Sequence, residues 1–244
     1  MSTISAAVAQ MVAHPAPVII LDTCSLLDLF RRDSTRQQPR ATAKEIRTAA
    51  ELLQRVTSHP DEAHLVVPEL VPGEFADHAD RTQRDFEEWL QFHDVNQFWL
   101  AEAALGVGTP LPSPAAVHSR GLSARFRQLA EDLLARAIVL ARDPTCLDRA
   151  VVRLIAKRRP SHKKEMKDSM NLEQCLELSS QLQNAGFTHA RVFVSSNTND
   201  FAEPSTSSFR LHLDLRGEFA AASLEYFPSL WAPVGSLQAR GQLP

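Results

Sequence analysis

The stretch Pro17-Val18-Ile19-Ile20-Leu21-Asp22-Thr23-Cys24-Ser25 decides how this chain folds. Its apolar run, rich in β-branched residues, has no polar break and stops on an aspartate. A strand with one wet face would alternate. One that is apolar at every position suits the centre of a parallel sheet covered on both faces.

The pattern recurs further along the chain. His64-Leu65-Val66-Val67-Pro68 and Arg191-Val192-Phe193-Val194 predict two more buried strands. Leu211-His212-Leu213 and Glu225-Tyr226-Phe227 predict two shorter ones. Helical segments lie between them: Cys24 to Arg32, Thr42 to Val56, Val71 to about Leu105, Leu122 to Leu140 and Thr145 to Lys157. Another opens at Lys167 or Asp168 and stops before Gly186, and a last one covers Arg216 to Ser223. Thr42 and Glu45 have the spacing of a capping box. Gly106 to Gly121 reads as a loop and the best internal boundary. Strands alternating with helices predict an α/β fold with a central, mostly parallel sheet, and sites in such folds form beyond the carboxyl ends of the strands.

Composition narrows the function. The 244 residues suffice for one sizeable domain, read here as residues 17–244 behind an N-terminal tail or arm, 1–16. No apolar run approaches the roughly 18 residues that span a bilayer, and Met1 to Ala16 has no basic start, so neither a membrane anchor nor a secretory signal is expected. Three scattered cysteines with no CxxC pair predict reduced thiols in a cytoplasmic chain. Nine histidines are scattered, and no cysteine has an activating neighbour. The net charge of −3 gives no global attraction for nucleic acid, so any such binding needs a local patch.

Four acids stand out by context. Asp22 ends the first strand, Glu74 opens the helix after the second, Asp168 begins the helix before the third, and Asp200 follows the third. Taken singly, Asp22 is also a helix cap, Asp168 a favourable first-turn acid, Glu74 a solvated helix residue and Asp200 a turn former. Together at strand ends they would repel one another without a cation, and hard ions such as Mg²⁺ or Mn²⁺ take such oxygens along with substrate phosphate. The segment from Arg153 to Lys167 supplies the local patch: Arg153, Lys157, Arg158, Arg159, Lys163, Lys164 and Lys167 stand against Glu165. A solvated helix end is the plainer reading of such a run. Asn171, three residues beyond Asp168, shares its helix face, whereas Glu173 does not.

These pieces resemble the PIN-domain ribonucleases, in the family's order: Val18 to Ser25, Pro68 to Phe75, Lys167-Asp168-Ser169, and Val192 through Phe201. The resemblance implies a Rossmann-like three-layer α/β/α sandwich and Mg²⁺- or Mn²⁺-dependent hydrolysis of phosphodiesters, usually in RNA. It makes Asp22, Glu74 and Asp168 metal ligands, with Asp200 a further acid. Ser195 or Ser196 stands where a hydroxyl often closes the last strand, and Thr23 or Ser25 would support the first acid. Lys163, Lys164 and Lys167 would grip flanking phosphates, with Asn171, Asn197 and Ser195 as further substrate contacts. Many PIN domains carry an acid where Asn197 stands, which puts the metal count and the activity in question. Residues 81–156 read as a helical insertion whose aromatics Phe86, Trp89, Phe92, Phe98 and Trp99 serve packing. Family analogy adds RNA or single-stranded DNA as substrate, an antitoxin-like inhibitor and a homodimer as partners.

Two other readings compete. One is a catalytically inactive PIN-like scaffold for RNA or protein. The other is a haloacid-dehalogenase-type phosphatase, which needs an acid two residues after Asp22, where Cys24 stands.

Overall fold

A computed structural model of the chain describes residues 1–33, 38–109, 111–112, 116–117, 120–160, 166–203 and 210–243. The N-terminal residues expected as a tail or arm form a helix, α1 (Ile4–Ala13), capped by the Thr3 hydroxyl. Its Ile4, Ala7 and Met11 are buried in the core. Alanine-rich composition hid the spacing of these three anchors.

The chain then runs through β1 (Val18–Leu21), α2 (Thr23–Leu27), a 3₁₀ turn Asp28–Phe30, β2 (Arg32–Asp33), β3 (Gln38–Pro39), α3 (Ala43–Ser58) and β4 (His64–Val67). Next come α4 (Val71–Gly106), α5 (Leu122–Arg136), β5 (Ile138–Val139), α6 (Pro144–Ile155), α7 (Met166–Asn184) and β6 (Arg191–Val194). The last elements are α8 (Thr198–Phe201), α9 (Leu213–Ala221), β7 (Glu225–Phe227) and α10 (Trp231–Ala239).

Five strands pair in the order β5-β4-β1-β6-β7, every neighbour parallel, while β2 and β3 form a separate antiparallel pair. All four residues of β1 are fully buried, as the unbroken apolar run predicts. Ile19 and Leu21 pack with Leu65, Val67, Val192 and Val194 into the layer built on α2 to α5 and α10. Val18 and Ile20 pack with Val66 and Phe193 against α1, α7 and α9. Each such side chain contributes about 1.5–3 kcal/mol, so two layers closing on one strand outweigh any local preference. The result is a three-layer α/β/α sandwich.

Strand order also fixes where a site can form. From β1 the chain steps outward to β4 and β5, then crosses back to β6 on the other side of β1. The crevice at the carboxyl ends of β1 and β6 is therefore the point where the winding reverses, the usual ligand position of an open parallel sheet.

Several expectations needed adjustment. Ile138–Val139 is not the end of a helix but strand β5, paired with β4 inside the span read as a helical insertion. Leu211 makes only an isolated bridge to Ala202, and Leu213 starts α9 instead of ending a strand. Helix α4 runs 36 residues, close to its expected bounds. Its inner half is anchored by Val71, Phe75, Ala79, Phe86 and Leu90. Phe86 stacks on Trp89 and meets Phe126 of α5. Phe92, Phe98 and Trp99 were also expected to pack, yet they are exposed.

Candidate active site

Asp22 follows the buried strand directly, so its carboxylate is carried into the crevice by backbone bonded into the sheet. Its N–H donates to the Val194 carbonyl at 3.1 Å, continuing the ladder with β6. The side chain is only 5% exposed, and Ser195 Oγ donates to its Oδ2 at 2.7 Å. Burial pushes the Asp22 carboxyl up from 3.8 to about 6, and the charge of Glu74 adds to the rise. The Ser195 hydroxyl and the N–H groups of Thr23 and Cys24 pull it partly back.

Glu74 sits in the first turn of α4, where the helix N-terminus favours a negative charge. Thr23 Oγ1 donates to its Oε2 at 2.7 Å. Thr23 was expected to support Asp22 and does so through its N–H, while its side chain goes to Glu74 and fastens α2 to α4. Ser25 instead donates to the Val194 carbonyl and locks α2 onto β6. Lys167 Nζ lies 3.9 Å from Glu74 Oε1, and the next residue, Asp168, stands half-buried in the first turn of α7. Thus α2, α4 and α7 converge through Thr23, Glu74 and Lys167.

Asp200 is buried on α8 and accepts from Asn197 Nδ2 at 2.7 Å. The Asn197 N–H in turn donates to Ser195 Oγ at 3.3 Å. Asp200 is thereby tied to Asp22 through Asn197 and Ser195, two residues singled out for substrate contact. Arg159 donates to the Asn199 carbonyl at 2.6 Å and pins the same short helix. Tyr226, which the sequence did not flag, donates its hydroxyl to the Ser195 carbonyl at 2.9 Å. Burial and the charge of Asp22 push its phenol well up.

Asn171 is 2% exposed, and neither its amide nitrogen nor its oxygen has a hydrogen-bond partner among the described residues. A buried amide in that state costs about 1–3 kcal/mol unless something polar meets it. Lys163 and Lys164 lie outside the described residues.

The basic run from Arg153 onward splits. Arg153 is buried and bonds Glu173 at 2.6 Å and Glu218 at 2.6 Å, joining α6, α7 and α9. Arg149 takes the second oxygen of Glu173. These are structural charges, and partners 20 and 65 residues away could not be read from a local run. Lys157, Arg158 and Lys167 stay exposed. Cys24 occupies the position where a phosphatase of the haloacid type needs its second acid, and burial pushes its thiol up to about 12. Burial also raises the thiols of Cys146 and Cys175, so none is poised as a nucleophile.

Among the described residues no three His, Cys, Asp or Glu side chains form a group that could hold a metal ion. The arrangement still suits a hard cation. Mg²⁺ commonly binds through one or two carboxylates and completes its shell with water and substrate phosphate. The charge of Glu74 raises the cost of ionising Asp22, Asp168 directly follows Lys167, whose Nζ lies 3.9 Å from Glu74, and the buried Asn171 amide has no hydrogen-bond partner among the described residues. A profile of the family described as PIN domain matches residues 19–201. No curated protein and no solved structure matches the chain.

Proposed function

We propose that this chain, which belongs to the PIN-domain family, is a Mg²⁺- or Mn²⁺-dependent endonuclease acting on RNA. The observation that carries the reading is the buried Asp22 carboxylate held beside Glu74 at the winding reversal of a parallel sheet. Asp22 and Glu74 would hold the ion, with Asp168 and Asp200 completing the acidic rim. When bound, the ion supplies positive charge for the scissile phosphate and lowers the proton affinity of the attacking water. Ser195 keeps Asp22 oriented and favours its charged form. Thr23 orients Glu74, leaving one carboxylate oxygen of each acid free of these two side-chain bonds. Lys167 stands over Glu74 where a phosphate oxygen would arrive, and Asn171 and Asn197 offer amides to the strand. A protein inhibitor and a second copy of the chain remain partners suggested by the family alone.

The specific support for the second reading, an inactive RNA- or protein-binding scaffold, is that Asn197 stands where an acid is common and that no three-acid group forms among the described residues. Both readings meet in one experiment: a panel of RNA and single-stranded DNA substrates in Mn²⁺ and in EDTA, with Asp22→Asn beside wild type. We expect metal-dependent cleavage of RNA that falls at least about 100-fold in the variant. Equal rates for the two proteins would sink the nuclease reading, and a silent wild type would favour the scaffold.

A further inference from the structure

A polar cleft of about 330 Å³ lies beside the start of α4, lined by Arg31, Arg32, His78, Arg81, Thr82 and Asp85. The strand β2 packs against α4 here. Glu74, His78, Arg81, Thr82 and Asp85 follow the 3.6-residue period, so the same stripe of α4 that presents Glu74 runs on into the cleft. At 1.5 Å per residue, His78 and Arg81 stand about 6 to 10 Å beyond Glu74.

The lining faces anions. Three guanidinium groups stand against one carboxylate, Asp85, and no large apolar side chain contributes. Arg31 is partly committed, with Asp28 at 3.2 Å, and Arg81 reaches Asp85 only at 3.9 Å with its side chain 82% exposed. Such an exposed pair gives little stability. The side chains of Arg32 and His78 have no hydrogen bond or ion pair among the described residues. The chain's net charge is −3, and Arg153 and Arg159 are engaged inside the fold, so three arginines gathered beside the start of α4, of which only Arg31 makes a close ion pair, are not accounted for by packing. Arginine forks and a hydroxyl suit phosphate oxygens, which they take two at a time.

We infer that this cleft binds a backbone phosphate of a single-stranded nucleic acid, next along the strand from the bond held at Glu74. The inference rests on the nuclease reading for its orientation, because it takes Glu74 as the edge of the cleavage site. Lys167 and the cleft then flank Glu74 with positive charge, and the strand's register follows the α4 axis. Contacts of this kind read the backbone and carry little base preference.

The test is binding, measured apart from cleavage. Fluorescence anisotropy of labelled twelve-nucleotide RNA and DNA strands would be followed in EDTA from about 50 to 200 mM salt. The full chain would be compared with an Arg32→Ala/Arg81→Ala double variant and with Arg136→Ala. Arg136 ends α5 just before β5, at the opposite, amino edge of the sheet. We expect the double variant to weaken binding about tenfold or more and to flatten the salt dependence by about one in slope, with Arg136→Ala close to wild type. The strand that shows the loss, RNA or DNA, names the source of the phosphate. Wild type that fails to bind either strand, or a double variant that matches Arg136→Ala, would overturn the inference. Loss of binding in a protein that never cleaves would keep the cleft and reject the nuclease, whereas an unaffected double variant of an active nuclease would do the reverse.

Discussion

Replacing Asp22 by asparagine should make the metal-free protein more stable while removing its activity. The carboxyl rises from 3.8 to about 6 on folding, chiefly because burial strips water from the charged form. That difference corresponds to about 3 kcal/mol of destabilisation once the group is fully ionised. Below pH 3.8 folded and unfolded chains both keep the proton, so the charge costs nothing. Between 3.8 and about 6 the unfolded chain releases it first, and stability falls as pH rises. Above about 6 the folded carboxylate bears the whole cost. Asparagine has the same shape and can still accept from Ser195, although a neutral acceptor is weaker than a carboxylate. The expected gain for Asp22→Asn in EDTA at pH 7.5 is thus about 1–3 kcal/mol, or about 3–10 °C in Tm for a chain of this size.

Urea titrations in EDTA at pH 7.5, 6 and 4 measure this directly. The gap between variant and wild type should be full at pH 7.5 and close by pH 4. Added Mg²⁺ at about 100 times its Kd should stabilise wild type by about 2.7 kcal/mol and leave the variant nearly unmoved. Equal urea midpoints in EDTA at pH 7.5, or a gap that does not narrow with acid, would refute the account of a buried, destabilised carboxylate.

Other outcomes follow from the same geometry. Ser195→Ala removes a hydrogen bond that holds the Asp22 carboxyl down, so the acid limb of a cleavage–pH profile should move to higher pH; an unmoved limb contradicts the role given to Ser195. Cys24 should react with iodoacetamide at pH 8 at least about 100-fold more slowly in the folded protein than in urea, because its thiol is pushed up to about 12. Comparable alkylation rates would contradict that environment. Thr42→Ala should cost about 1 kcal/mol by removing the capping box of α3, visible as a lower urea midpoint with cleavage of RNA unchanged.

Much of this fold was legible because burial on two faces leaves an unbroken apolar run. Val18 to Leu21, His64 to Val67 and Arg191 to Val194 announced themselves in this way, and Asp22 was marked by where its run stopped. Strand β5 was not legible: two residues that follow a helix have no period of their own, and their pairing with Val66 and Val67 is decided by the sheet. Among the candidate residues, Glu74 lies near enough for its charge to act on Asp22, but the partners of the Thr23 and Arg153 side chains were not foreseen. Their bonds span 51 and 20 residues, and a local pattern has no record of distances set by packing. The cleft formed by Arg31, Arg32, His78 and Arg81 escaped for the same reason: the two pairs are scattered charges until β2 is laid against α4.

The uneven anchoring of α4 has a consequence for amide exchange. Its first turn, with Glu74, is fixed by Val71 and Phe75, and further core contacts extend to Leu90. Beyond Asp94 no residue of the helix is buried, and Trp99, Leu100 and Leu105 face solvent. Opening the outer turns therefore exposes little that was covered. Amides near Ala104 should trade hydrogen through cheap local fraying, while those near Phe75 wait for the whole domain to unfold. One continuous helix thus contains two thermodynamic neighbourhoods, and the acidic end lies in the one that opens last.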